Sequence, residues 1–241
     1  MTRPLDGTTV AVTRARAQAT GLVRRLRDLG ADVVEAPVIR IEPIAGPAID
    51  ASAYDLVCVT STNAPALLLE RVGGGAQALE GVEVAAIGPG TAAAIRAIGI
   101  VPDIVAERSV AEGLLAALAG RVAGRRVLVA RPETARDTLP DGLRDAGAAS
   151  VDVVALYRTV ADAPVSGDAL AADLVTFTSS STVRFFVGAF AGRDLSGVRG
   201  VSIGPVTSAT MRELGIPIVA EAADHDLDGL VAAVIEAVGN R

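Results

Sequence analysis

Short apolar runs alternate along this chain with longer stretches whose hydrophobic residues recur every three to four positions. Val10 to Thr13 is one such run. The segment after it sets Leu22, Leu26 and Leu29 on one helical face and Arg24, Arg25, Arg27 and Asp28 elsewhere, which predicts an amphipathic helix. Gly30 is placed to end that helix, and Val33-Val34 opens a second strand. Ser109 and Glu112 predict a capping box for a helix through Leu118.

The pattern then repeats. Tyr54-Asp55-Leu56-Val57 returns as Ala172-Asp173-Leu174-Val175, and Ile87-Gly88-Pro89-Gly90-Thr91 as Ile203-Gly204-Pro205-Val206-Thr207. Gly113-Leu114-Leu115 returns as Gly229-Leu230-Val231. Val10, Val12, Arg14, Leu22, Leu26 and Gly30 match Val127, Val129, Arg131, Leu139, Leu143 and Gly147. All offsets lie near 117 residues, too long for a solenoid and about the size of a small α/β domain. Each half reads as about five strands and four helices in alternation, which implies α/β folding with parallel sheets and helices on both faces.

Composition narrows the class. The chain is 51% hydrophobic and 21% charged, which is globular. It lacks Trp and has few other aromatics, so its core is short and aliphatic, as parallel sheets prefer. No 18-residue stretch is apolar enough to span a membrane, and the start carries no signal-peptide pattern. Cys58 has no second cysteine to pair with. These features lead us to expect a cytoplasmic protein. The net charge of −6 argues against nucleic-acid binding. Every cation among Lys and Arg is arginine, the better fork for carboxylates.

The small polar residues fall where strands give way to helices: Thr13-Arg14, Thr60-Ser61-Thr62-Asn63, Gly88-Pro89-Gly90-Thr91, Ala130-Arg131, Thr178-Ser179-Ser180-Ser181 and Gly204-Pro205-Val206-Thr207. Parallel sheets bind ligands outside the carboxyl ends of their strands, and helix N-termini offer free N–H groups to anions. Any one of these hydroxyls serves equally well as an ordinary N-cap; as a set they read as a rim for carboxylate or phosphate. No metal-ligand spacing, P-loop or complete G-x-G-x-x-G occurs, and Cys58 reads as inert core. His225, the single histidine, aligns with Ser109. Without a Ser-His or Cys-His pair, an enzyme built this way works by positioning and dipoles.

These segments resemble the uroporphyrinogen-III synthase family. The resemblance is carried by Val12-Thr13-Arg14 with Gln18-Ala19 and Leu22, by Thr60-Ser61-Thr62-Asn63, by Ile87-Gly88-Pro89-Gly90-Thr91, and by Ala111-Glu112-Gly113-Leu114. In the second half it is carried by Tyr157-Arg158-Thr159, Phe177 through Arg184, and Ile203-Gly204-Pro205-Val206-Thr207. It spans essentially the whole chain. Ala130-Arg131-Pro132 and Phe186 depart from the family's usual pattern.

The resemblance implies two similar lobes, each a mostly parallel sheet flanked by helices, joined by a two-stranded connection with a cleft between. One lobe is then 1–37 plus 161–241, the other 42–155, with linkers near 38–41 and 156–160, whereas the repeat alone suggests a cut near Ala123. It implies a lyase that closes hydroxymethylbilane into uroporphyrinogen III with loss of water and inversion of ring D, in porphyrin and haem biosynthesis. It implies no cofactor, no metal and a monomer, with no nucleic-acid or membrane partner. Tyr157 is the first candidate to assist departure of the substrate's hydroxyl, followed by Thr91 and Thr207. Candidate substrate ligands are Thr13, Arg14, Thr60, Ser61, Asn63, Gly88, Arg131, Arg136, Thr178, Ser179, Ser180, Ser181 and Gly204. The competing reading is a non-catalytic two-lobed module that binds or senses an anion.

Overall fold

A computed structural model of the protein describes residues 3–162 and 164–239. Its strands are β1 (Thr9–Val12), β2 (Asp32–Glu35), β3 (Ile39–Pro43), β4 (Leu56–Val59), β5 (Glu83–Ala86), β6 (Ile104–Val105), β7 (Arg126–Pro132), β8 (Ser150–Ala161), β9 (Leu174–Phe177), β10 (Gly200–Ser202) and β11 (Ile218–Glu221). Its helices are α1 (Arg16–Asp28), α2 (Ala64–Val72), α3 (Pro89–Ala97), α4 (Ala111–Ala117), α5 (Thr138–Asp145), α6 (Asp168–Ala171), α7 (Ser180–Ala189), α8 (Pro205–Glu213) and α9 (Leu227–Gly239).

The chain forms two units. Unit 1 takes residues up to Ile41 and from Val160 onward; unit 2 is Glu42–Thr159. Both boundaries fall inside strands, β3 and β8, which are neighbours in sheet order. The repeat boundary near Ala123 is therefore not a structural one. Unit 1 holds a sheet ordered β11-β10-β9-β1-β2, and unit 2 a sheet ordered β3-β8-β7-β4-β5-β6. In unit 2, β7 and β8 stand where β1 and β2 stand in unit 1. The two copies have exchanged their first strand-helix-strand segment. Matching apolar faces make this possible: Val10, Val12 and Leu22 present to one sheet what Val127, Val129 and Leu139 present to the other.

A device present in both copies of the duplication fixes the central strands. The Thr9 amide donates to Asp173 Oδ2 at 2.8 Å, and the Arg126 amide to Asp55 Oδ2 at 2.8 Å. Each aspartate opens one central strand and ties down the start of its neighbour. The pairs β1·β9 and β4·β7 then run parallel in register, Ala11 against Val175 and Cys58 against Val129.

Helices cover both faces of each sheet. In unit 1, Leu22 and Leu26 of α1 pack with Leu230 and Val234 of α9, while Val183 and Phe186 of α7 pack with Met211 of α8 on the other side. Phe186 meets Phe177 edge to face at 5.2 Å, so it fills core. In unit 2, Leu114 and Leu143 cover the face that carries Leu56 and Cys58. Gly30 ends α1 with a φ of 102°, as the sequence predicts. Ser109 does not form the expected capping box: Val110 occupies the N-cap of α4 with no side-chain bond, and Ser109 instead packs against Gly88. The strand expected to end before Ala130-Arg131 also runs on through both to Pro132.

Candidate carboxylate-binding rims

Numbered within each unit, with the exchanged segment first, the strand order is 2-1-3-4-5 in both. Chain direction across the sheet reverses between the first and third strands. The crevice at that reversal, outside the carboxyl ends, is where such sheets bind ligands. In unit 1 it lies between the ends of β1 and β9, at Thr13-Arg14 and Thr178–Ser181. In unit 2 it lies between the ends of β7 and β4, at Arg131 and Thr60–Asn63.

Much of unit 1's hydroxyl chemistry is internal. Thr13 is fully buried and donates to the Thr176 carbonyl at 2.7 Å, while Thr176 donates to the Ala11 carbonyl at 3.1 Å. These bonds lock β1 to β9. Ser179 forms a true capping box with Thr182 at the start of α7. Ser180 accepts from Thr210 Oγ1 at 2.8 Å and joins α7 to α8. Thr178 and Ser181 are half-buried at the same turn.

Arg14 is different. It is half-buried, its Nε donates to Gln18 Oε1 at 3.3 Å, and it has no carboxylate partner among the described residues. Burial alone pushes its guanidinium pKa down, with no neighbouring charge to offset it. A desolvated cation without a counter-ion is costly unless a ligand supplies one.

The α8 N-terminus completes this rim. Gly204 occupies its N-cap in extended conformation and supplies no side chain. Thr207 in the first turn is 4% exposed, and its hydroxyl makes no hydrogen bond within the described residues. The His225 ring lies over Gly204, so close that a Cβ there would stand 2.9 Å from Cδ2. Ser208 Oγ, one residue on, is buried with no hydrogen-bond partner among the described residues, a feature the rim's sequence pattern did not single out.

Unit 2 repeats the plan. Gly88 occupies the N-cap of α3, Ser109 sits over it as His225 sits over Gly204, and Thr91 is buried like Thr207. Thr60 Oγ1 donates to the Ala130 carbonyl at 3.2 Å. Asn63 is the N-cap of α2, yet its side chain makes no capping bond; it turns to Tyr157. That tyrosine is 4% exposed, on β8 level with Pro132 at the carboxyl end of β7. Burial pushes its phenol pKa up, against an opposing pull from Ser61 and Asn63. Ser61 Oγ is buried beside the phenol without meeting hydrogen-bond geometry. Arg131 is held by Asp137 at 2.8 Å, a partner that the sequence motifs did not suggest. Exposed Arg136 pairs with Glu112 at 3.3 Å.

Cys58 is fully buried and its thiol is pushed up to about 12, which makes it inert. Among the described residues, no group of three or more His, Cys, Asp or Glu side chains is placed to hold a metal ion. None of the described helices is long and apolar enough to cross a membrane.

Known proteins share this plan. A family model described as uroporphyrinogen-III synthase HemD matches residues 21–232. The uroporphyrinogen-III synthase of Synechococcus elongatus is 35% identical, over 96% of each chain. Among solved structures, a uroporphyrinogen-III synthetase from Helicobacter pylori aligns with TM-score 0.66 at 16% identity, over 95% of this chain and 99% of that one. A mutant uroporphyrinogen III synthase from Thermus thermophilus aligns with TM-score 0.62 at 18% identity, over 98% of this chain and all of the other.

Proposed function

The chain belongs to the uroporphyrinogen-III synthase family, and from that premise we propose how its own residues carry out the reaction. The substrate is hydroxymethylbilane, a linear tetrapyrrole bearing acetate and propionate side chains. Loss of its terminal hydroxyl gives an electrophilic azafulvene. Attack through the substituted carbon of ring D, followed by fragmentation and reclosure, yields uroporphyrinogen III; attack through the free position yields isomer I.

The observation that carries this assignment is Arg14. A half-buried guanidinium without a counter-ion among the described residues, at the reversal point of a parallel sheet, suits a carboxylate. The first-turn amides of α8 and α3, with Thr207 and Thr91 beside them, suit further carboxylates. Thr178, Ser181 and Ser61 add hydroxyls whose hydrogen bonds are not spent among the described residues. Thr13, Thr60, Ser179 and Ser180 hold the rims in shape instead. A flexible substrate fixed by several such contacts reacts from one folded conformation, its entropy already lost at binding. Isomer choice needs only about 3 kcal/mol for over a hundredfold selectivity.

Tyr157 acts as the proton donor. Burial keeps its phenol neutral at physiological pH, so its proton is available to the departing hydroxyl. The neighbouring Ser61 and Asn63 favour donation, since both pull the phenol pKa down and stand where they can donate to its oxygen as charge develops on it. The protein is taken to work as a monomer in the cytoplasm.

The test supplies fresh hydroxymethylbilane to purified protein and resolves the isomers after oxidation. Isomer III above the spontaneous background is expected. Isomer I alone rejects the assignment and leaves a binding module.

A further inference from the structure

The duplication sets two arginines at equivalent places and treats them differently. Arg14 and Arg131 match in the two copies and stand at the reversal point, Arg14 just past the end of β1 and Arg131 at the end of β7, before Pro132. Arg14 has no carboxylate partner among the described residues, whereas Arg131 Nη1 lies 2.8 Å from Asp137 Oδ1 and also donates to the Arg136 carbonyl at 3.2 Å. Unit 1 holds its arginine at that place without a carboxylate partner among the described residues. The carboxylate on Arg131 is therefore not a requirement of the sheet.

The pair is also one-sided. The Arg131 side chain is 15% exposed and that of Asp137 67%. The guanidinium is part of the rim's floor, and Asp137 reaches it from the solvent side, from which a ligand would also approach. Asp137 moreover gives up a local role to be there. It occupies the N-cap of α5, where an aspartate ordinarily accepts a first-turn amide, yet it makes no capping bond. If it let go of Arg131, it would have both water and its own helix's free amides to turn to.

We propose that Asp137 is an exchangeable counter-ion: it occupies the Arg131 guanidinium in the empty enzyme and yields it to a carboxylate of the tetrapyrrole, so setting the affinity of the unit 2 rim. This rests on the functional reading above for the identity of the ligand. Charge balance at Arg131 is kept throughout, one carboxylate replacing another, and Asp137 caps α5 once displaced. Asp137 is a positioning residue acting through Arg131, and an internal competitor for it.

An ordinary structural ion pair predicts the opposite outcome. If Asp137 served to aim Arg131 at the substrate, removing its charge would weaken binding. The decisive variant is Asp137→Asn, which keeps N-cap preference; Asp137→Ser is its companion should that protein fold poorly. Two readouts are needed: KM and kcat for hydroxymethylbilane, and an equilibrium titration with uroporphyrin III, a stable polycarboxylate. Both KM and the uroporphyrin Kd are expected to fall about three- to fivefold, the scale of one partly exposed ion pair, and KM by more than kcat changes. In an Arg131→Gln background the same substitution is expected to change neither. Unchanged or raised KM and Kd in Asp137→Asn overturn the proposal, as does an equal fall in the Arg131→Gln background. Failure to form isomer III, with the titration behaving as stated, would sink the synthase assignment and leave the exchange standing.

Discussion

At the scale of single residues, the site is defined by which polar groups the fold leaves unspent. Tyr157 is nearly buried and held neutral, and it sits beside a serine and an asparagine that do no capping or sheet work. Tyr157→Phe removes the proton and keeps the packing, so kcat is expected to fall at least tenfold, with KM moving less, a loss of about 1.4 kcal/mol or more in transition-state stabilisation. Steady-state kinetics on fresh hydroxymethylbilane check this; a wild-type kcat would remove Tyr157 from the mechanism. Cys58 gives a test of the core instead. Its thiol titrates near the ordinary 9 when unfolded and at about 12 when folded. The unfolded chain thus loses a proton first as pH rises, so stability falls between about pH 9 and 12, by up to roughly 1.4 kcal/mol per pH unit. Denaturant melts of wild type against Cys58→Ala should show the alkaline slope reduced in the variant.

At the scale of elements, glycines separate packing from function. Gly113 and Gly229 each bring the first turn of a helix against the backbone carbonyl of the preceding loop, Arg108 and Asp224 respectively. Gly204 instead faces a side chain, His225. Backbone cannot step aside and an imidazole can. Gly229→Ala is therefore expected to lower stability by about 2 kcal/mol or more, and Gly204→Ala by less than about 1 kcal/mol, with its main effect on KM. Thermal melts and KM values on the two proteins decide the matter; equal destabilisation would contradict this assignment. The same elements show what the sequence could and could not disclose. Apolar period and glycine stops predicted α1 and its end, because those signals are local. The Ser109 capping pattern misled, because the helix starts one residue later and a distant glycine claims the serine. Rim hydroxyls were legible as a group, but Thr13 turns out to be spent internally, since a hydrogen-bond partner 163 residues away leaves no local trace. Ser179 is spent on capping its own helix, the ordinary role that any one of these hydroxyls could equally have. The Arg131–Asp137 pair was hidden for the opposite reason: an acid five residues past the end of a strand looks like any loop residue.

At the scale of the whole molecule, duplication explains the topology. Each unit completes its sheet with the first segment of one copy and the remainder of the other, so unit 1 draws on both ends of the chain while unit 2 is contiguous. A fragment spanning 42–161 contains every strand of the β8-β7-β4-β5-β6 set and both layers of helix. It is expected to unfold cooperatively by itself, as a compact domain of that size does. A non-cooperative melt would show that its stability depends on the rest of the chain. The net charge of −6 sets the global field against an anionic substrate. Recognition must then come from local donors, the helix N-termini and the arginines at the reversal points.

Arg14 carries that claim furthest, because it joins a folding cost to a binding gain. Replacing it by glutamine removes a desolvated, uncompensated cation and a carboxylate anchor together. The measurement is KM for hydroxymethylbilane alongside the unfolding free energy of Arg14→Gln. We expect KM to rise about tenfold or more while stability holds or increases. An unchanged KM would contradict the account, because a half-buried guanidinium at the reversal point, with no carboxylate partner among the described residues, would then be gripping nothing.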